Sequence, residues 1–180
     1  MQQNERVRVT SINPLSPWAR YKLRLKRRRL LWRSFRSRHA LSRKDGRAIP
    51  EQGVLLFCVL RNEATRLPYF LEFYRQAGVA HFLIVDNGSD DGSSEILAQQ
   101  PDCSVWYTDA SYRDARFGLD WLNWLQIGHG HNRWCLMADV DELLVYAGDD
   151  ETDLPALTRK LDAAGIGGFG AHMLDLYPEN

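Results

Sequence analysis

Three runs of consecutive apolar residues, each ending on a charged or turn-forming segment, constrain this chain more than anything else in it. They are Val54–Leu60, residues 81–85 and residues 134–138, followed in turn by Arg61-Asn-Glu63, by Asp86-Asn-Gly-Ser-Asp-Asp-Gly92 and by Asp139-Val-Asp-Glu142. Continuous rather than alternating apolar runs of this length read as strands buried on both faces, the habit of parallel sheets. Between them the pattern changes to helical spacing: Leu67, Phe70, Leu71 and Tyr74, closed by Gly78, then a short helix over 93–99 and a longer one over 113–127. A further strand is expected at Cys103–Tyr107. Thr152 or Asp153 caps a helix running to about residue 164, with Pro155 in its first turn and Gly165 at its end. A last strand is expected over 168–174. Strands alternating with helices imply an α/β fold with a parallel or mixed sheet and right-handed crossovers. The longer helix is expected to turn Phe117, Trp121, Trp124 and Leu125 inward, with Arg113, Arg116, Asp120 and Asn123 along another face.

The position of the acids matters as much as their number. In open α/β sheets, ligands bind outside the carboxyl ends of the strands, and here every strand-end loop carries carboxylates. In extended chain, alternate side chains share a face, so Asp139 and Asp141 would point together while Val140 enters the core. Their α-carbons would lie roughly 6–7 Å apart, close enough to converge on one hard divalent cation. Taken singly, each segment also has a plain structural reading: a helix N-terminus with a favourable acid, a self-bonded Asx turn, polar residues leaving a strand. Their order and common placement raise them above that.

The net charge of zero conceals a division. Residues 1–50 hold 15 of the 23 Lys and Arg and only two acids, Glu5 and Asp45, a net +13; the remainder carries −13. Residues 1–52 therefore read as a basic arm and linker, the linker over 42–52, and 53–180 as the folded domain. Residues 18–38 are rich in Arg and aromatics without Gly or Pro and permit a helix of imperfect amphipathicity. The arm reads as a solvated basic tail, or as an attachment to an anionic membrane surface with Trp and Phe dipping in. Nucleic acid is the weakest of its partners, since no nucleic-acid-binding motif accompanies the charge. Three cysteines without a Cys-x-x-Cys pair indicate neither a disulfide framework nor a zinc ribbon. A reduced, cytoplasmic setting, with the arm peripheral on the inner face of a membrane, is the expectation. Walker and Gly-x-Ser-x-Gly signatures are absent.

The segments Val54-Leu-Leu-Phe-Cys-Val-Leu-Arg-Asn-Glu-Ala64, Leu71-Glu-Phe-Tyr74, residues 78–93 and Trp134-Cys-Leu-Met-Ala-Asp-Val-Asp-Glu142 together resemble family 2-type glycosyltransferases, and among them the branch related to family 92. The resemblance covers about residues 53–178. It implies the nucleotide-diphospho-sugar transferase fold called GT-A, a three-layer α/β/α sandwich with a mostly parallel central sheet, and metal-dependent, inverting transfer of a sugar from a nucleotide-diphosphate donor to a glycan, lipid or protein acceptor. By the same resemblance Glu63 would sit near the base or ribose, Asp86 would contact the base, and Asp90 or Asp91 would border the nucleotide pocket. Arg116 would face the donor diphosphate. Asp139 would lie against the ribose or the metal, and Asp141 would ligate Mn²⁺ or Mg²⁺, while the role of Glu142 stays open. In relatives the region beyond the last strand builds the acceptor site and carries the base. Here Asp175 is the only late acid in plausible position for that base, and His172 is a weak substitute for a third metal ligand. A chain truncated on its C-terminal side is therefore expected, with donor binding better supported than turnover. The alternatives are a non-catalytic nucleotide-binding remnant and a basic binding module on an α/β scaffold.

Overall fold

The computed structural model describes residues 16–45 and 47–174. Its elements run α1 (Pro17–Ser37), a 3₁₀ turn (Arg38–Ala40), β1 (Ser42–Arg43), β2 (Val54–Leu60), α2 (Leu67–Gln76), β3 (Val79–Asp86), α3 (Ser93–Ala98), β4 (Cys103–Tyr107), α4 (Leu119–His129), β5 (Cys135–Met137) and α5 (Leu154–Ala163). The five strands form one mixed sheet in the order β1-β4-β3-β2-β5. β2, β3, β4 and β5 are mutually parallel, and only β1 is antiparallel, against β4. The fold is thus α/β with a mostly parallel sheet, as the alternation of apolar runs predicts.

All seven residues of β2 are buried because helices cover both faces of the sheet. With a period of two, Val54, Leu56, Cys58 and Leu60 face one core, completed by Leu67, Phe70, Leu71 and Tyr74 of α2, Leu97 of α3 and Leu154 of α5. Leu55, Phe57 and Val59 face the other, with Trp121, Leu122 and Leu125 of α4. At about 25 cal/mol per Å² this two-sided burial is the main favourable term of the fold.

Connectivity places the site. From β2 the chain moves outward through β3 to β4, then returns across the sheet to add β5 on the opposite side of β2. The strand order therefore reverses between β2 and β5, and the loops leaving those two strands part at the carboxyl edge. That crevice is where an open α/β sheet receives a ligand.

Four expectations need correction. Residues 168–174 form no strand: the run holds Gly168 and Gly170, which weaken pairing, and it stays exposed. Within 42–52, read as linker, Ser42 and Arg43 pair with Tyr107 and Trp106 as the sheet's edge strand. Asp45 accepts from the Val105 N–H at 2.6 Å, and Arg47 donates to the Cys103 carbonyl at 2.9 Å. The helix expected from residue 113 starts at Leu119, because Arg116, Phe117 and Gly118 all have positive φ (53°, 56° and 77°) and break it. Phe117, expected inside, is consequently 65% exposed, while Asp120, expected on an outer face, is 2% exposed. Finally, the basic segment is a helix, but not a free one. Arg33 of α1 bonds the buried Asp120 carboxylate at 3.2 Å and the Asp114 carbonyl at 2.9 Å, and Phe35 meets Trp124 edge-on at 5.9 Å.

Candidate functional site

Two loops build the rim beside β2. Asn62, in the left-handed region at φ 59°, turns the chain sharply as it leaves the strand, so that three successive amides point at the loop after β3. The Asn62 N–H donates to Ser89 Oγ, the Glu63 N–H to Ser93 Oγ and the Ala64 N–H to Asp91 Oδ2, at 2.9–3.0 Å. In return the Asp90 N–H donates to Asn62 Oδ1. Amides of the turn that follows β2 are thus satisfied across the gap, and the two loops become one rim.

The acids of the second loop sustain that rim. Asp86, 1% exposed, accepts from the Ser89 N–H at 2.9 Å and from the Ser94 hydroxyl. Asp91 accepts from the Ser93 hydroxyl at 2.6 Å, the Ser93 N–H and the Ala64 N–H, which hold its carboxyl below the usual value. Asn87, buried beside them, donates from Nδ2 to the Thr108 and Ala110 carbonyls. Its neighbour Asp90 projects into solvent.

The acidic segment after β5 takes a different shape from the extended one expected. The Glu142 N–H donates to the Asp139 carbonyl at 3.0 Å and closes a β-turn over 139–142. The sorting of side chains survives: Val140 is 6% exposed in the core, and Asp139 and Asp141 are both exposed. Glu142 Oε2 accepts from the Asp139 N–H. Tyr74 anchors the turn from below, its hydroxyl donating to the Glu142 carbonyl at 3.1 Å and accepting from the Leu144 N–H at 3.0 Å. Burial pushes that hydroxyl up to about 12, so it stays a neutral donor.

Rim and turn face one another across a cavity of about 320 Å³ lined by Val59, Leu60, Arg61, Glu63, Asn87, Tyr112, Asp139, Val140 and Asp141. It lies at the reversal point between β2 and β5. Of the residues expected to form a site, the structure brings Glu63, Asp139 and Asp141 together on this cavity. Asp86, Asp90 and Asp91 stand behind it in the rim. Arg116 is not part of its wall: its guanidinium bonds Asp120 at the start of α4, at 2.9 Å from Nε. Asp175 lies outside the described residues. A larger hollow of about 570 Å³ opens beside β5, α5 and residues 167–171. Its walls are mostly apolar or backbone, and it lacks the converging carboxylates of the smaller one.

Electrostatically the smaller cavity is mainly acidic, with Arg61 on its wall and the Glu63 carboxylate paired with Arg66 at 3.1 Å. Burial, then Glu142, Asp141 and Glu63, raise the Asp139 carboxyl above its ordinary value, and the same acids help to keep the buried Cys58 thiol protonated beneath it. Among the described residues neither Asp139 nor Asp141 has a basic partner within salt-bridge distance. Nor does any group of three or more His, Cys, Asp or Glu stand ready there to enclose a metal ion. Two unpaired carboxylates on an open cavity do match how Mg²⁺-like ions are held, by one or two carboxylates with the remaining positions left to water and substrate phosphate.

The residue pattern alone does not mark Arg61, Asn62, Tyr74, Asn87, Ser93 and Tyr112 as parts of the site. Tyr74 carries the helical core spacing and nothing marks its hydroxyl, while Asn62 and Ser93 sit in motifs whose cross-loop pairing only the fold discloses.

No family model matches the chain, and no solved structure does. A search of curated proteins finds similarity to a glycosyltransferase family 92 protein of Oryza sativa subsp. japonica, 27% identical over 99 residues. The match takes in 51% of this chain and 16% of the rice protein, so the chain spans a small part of its relative's length. That partial similarity supports a glycosyltransferase relationship for an α/β chain whose strand-end loops converge on an acidic cavity.

Proposed function

We propose that the chain carries the donor-binding half of a glycosyltransferase with a GT-A-type fold, and that the cavity between β2 and β5 receives the diphosphate of a nucleotide-sugar. The observation that carries this reading is the convergence of Glu63, Asp139 and Asp141 at the point where strand order reverses. The partial likeness to a family 92 glycosyltransferase supports it.

An anionic ligand does not enter an acidic cavity unaided. Asp139 and Asp141 would hold Mn²⁺ or Mg²⁺, and the ion would supply Lewis-acid neutralisation of the diphosphate leaving group. The other residues bind and position. Among the described residues Arg61 is the one cationic side chain on the wall, where it would meet phosphate oxygens. Glu63, fixed by its amide on Ser93, offers a carboxylate to ribose or base hydroxyls. Tyr112 presents an exposed ring at the mouth, a surface against which a base or sugar can stack. Tyr74 holds the 139–142 turn at fixed height relative to the rim.

Calorimetric titration with UDP, GDP, CDP and dTDP, with and without Mn²⁺, tests the reading and identifies the base. Binding of one diphosphate that requires Mn²⁺ is expected, with loss of the heat in Asp141→Asn. Binding that is indifferent to Mn²⁺, or to that substitution, would sink the proposal. Release of free sugar from the matching nucleotide-sugar then separates a transferase from a protein that only binds.

A further inference from the structure

α1 carries nine Lys and Arg and no acid between Pro17 and Ser37. Only its last third rests on the body. Ser34 is its one buried residue, Arg33 reaches Asp114 and Asp120, and Arg38 lies over the Phe35 ring at 3.5 Å and the Trp124 ring at 5.6 Å. The order of these contacts gives the helix its direction. Arg33 meets the first turn of α4 and Arg38 the second, so residues before Arg33 leave the body past the start of α4. There Gly118 abuts Val59 near the carboxyl end of β2, the sheet edge that bears the cavity. From Trp18 to Arg33 the helix covers about 22 Å at 1.5 Å per residue, and residues 16–29 are exposed throughout except for half-buried Ala19.

The exposed stretch is not uniform. At 100° per residue, Trp18, Tyr21, Leu25 and Trp32 fall within roughly 60° of one another, and that stripe is turned about 170° from Ser34. It therefore faces directly away from the body. Trp18 is 63% and Trp32 60% exposed, and Trp18 stacks on Tyr21 at 5.7 Å. Lys22 and Arg29 flank it on one side, Arg24 and Arg28 on the other. Among the described residues none of Arg20, Lys22, Arg24 and residues 26–29 has an acidic partner.

We infer that α1 docks the protein on an anionic phospholipid surface, with the Trp18–Tyr21–Leu25–Trp32 stripe at the headgroup boundary and the flanking Lys and Arg on lipid phosphates. Interfacial helices combine aromatic rings, which settle at that depth, with cations that hold anionic lipid. An aliphatic Leu25 within the stripe fits acyl chain better than nucleobase. The stripe is narrow, so charge dominates the attraction, which salt should weaken. The cavity edge of the sheet would then lie toward the bilayer. Docking requires no nucleotide, so its failure would leave the donor-site proposal standing.

The test is sedimentation of the full chain with phosphatidylcholine vesicles, alone or with phosphatidylserine at three parts in ten, in about 0.1 M salt. Partition into the serine-lipid vesicles alone is expected, falling about 25-fold in Arg24→Gln/Arg28→Gln and about tenfold in Trp18→Ala/Trp32→Ala. Brominated lipid should quench tryptophan emission in the parent but not in the tryptophan variant. All four side chains are exposed, and unchanged thermal unfolding confirms that the variants fold. Absence of vesicle binding, equal binding to both vesicles, or an intact partition in the tryptophan variant overturns the inference. So does a single-stranded oligonucleotide that displaces the vesicles through the same residues, or a dimer that the tryptophan substitutions dissociate.

Discussion

Tyr74→Phe separates the positioning of the acidic turn from the packing beneath it. The ring is 1% exposed and meets Phe70 edge-on at 5.0 Å, contacts that phenylalanine keeps. Only the hydroxyl is lost, and with it the bonds to the Glu142 carbonyl and the Leu144 N–H. Each is worth about 1 kcal/mol net, and each partner, if left without a substitute, costs about 1–3 kcal/mol. Both partners belong to a partly exposed segment, so water recovers some of the loss. A destabilisation of about 2 kcal/mol is expected, which for a chain of this size lowers Tm by roughly 4–8 °C. The greater effect falls on the site, because the turn bearing Asp139 and Asp141 is no longer fixed opposite Glu63. Calorimetric unfolding, followed by Mn²⁺-dependent nucleoside diphosphate binding below Tm, measures both quantities. A variant as stable as the parent with unchanged ligand affinity would refute the anchoring role.

Three further perturbations probe other parts of the account. Asp120→Ala removes the buried carboxylate between Arg33 and Arg116; because those guanidiniums remain partly exposed, a loss of about 2–3 kcal/mol is expected, together with faster amide exchange over residues 30–38, and unaltered exchange there would contradict the attachment of α1. Gly118→Ala forces a Cβ to 2.7 Å from Val59 Cγ2 at a φ of 77° and should cost about 2 kcal/mol or more in denaturant unfolding. The Asp139 carboxyl is raised in the fold, so between its unfolded and folded values the native state binds more protons, and stability falls as pH rises through that window. Asp139→Asn should accordingly flatten that slope and, without metal, stabilise the chain at neutral pH by a few tenths of a kcal/mol after solvent screening; a steeper slope would reverse the electrostatic argument.

Sequence patterning discloses the strands because two-sided burial leaves a continuous signal: β2 and β4 occupy the residues expected, and β3 differs only by extension to Val79 and Asp86. Capping chemistry is equally legible at α5, where Asp153 accepts from the Ala156 N–H and Gly165 takes φ 68°. The start of α4 was not, since Arg116 and Phe117 adopt positive φ that neither residue type advertises. Charge misled at two places for one reason. Asp120 and Arg33 look like solvated residues in isolation, yet Arg116 and, 87 positions away in sequence, Arg33 together compensate burial of the carboxylate, and the second pair ties the basic helix to the body. At the site the acids were legible as a set, but their division of labour was not. Asp86 and Asp91 share the composition of Asp139 and Asp141, yet serine hydroxyls and amides occupy the first pair and leave the second open to the cavity.

Mn²⁺ paramagnetic resonance reads out whether Asp139 and Asp141 present a cation to a diphosphate. The free-ion signal should fall only slightly with the chain alone and, once the matching nucleoside diphosphate is added, fall well beyond the level that nucleotide and Mn²⁺ reach without protein, and Asp139→Asn/Asp141→Asn should abolish that excess. A nucleotide that binds equally well in the double variant, or in the presence of a chelator, would contradict the account.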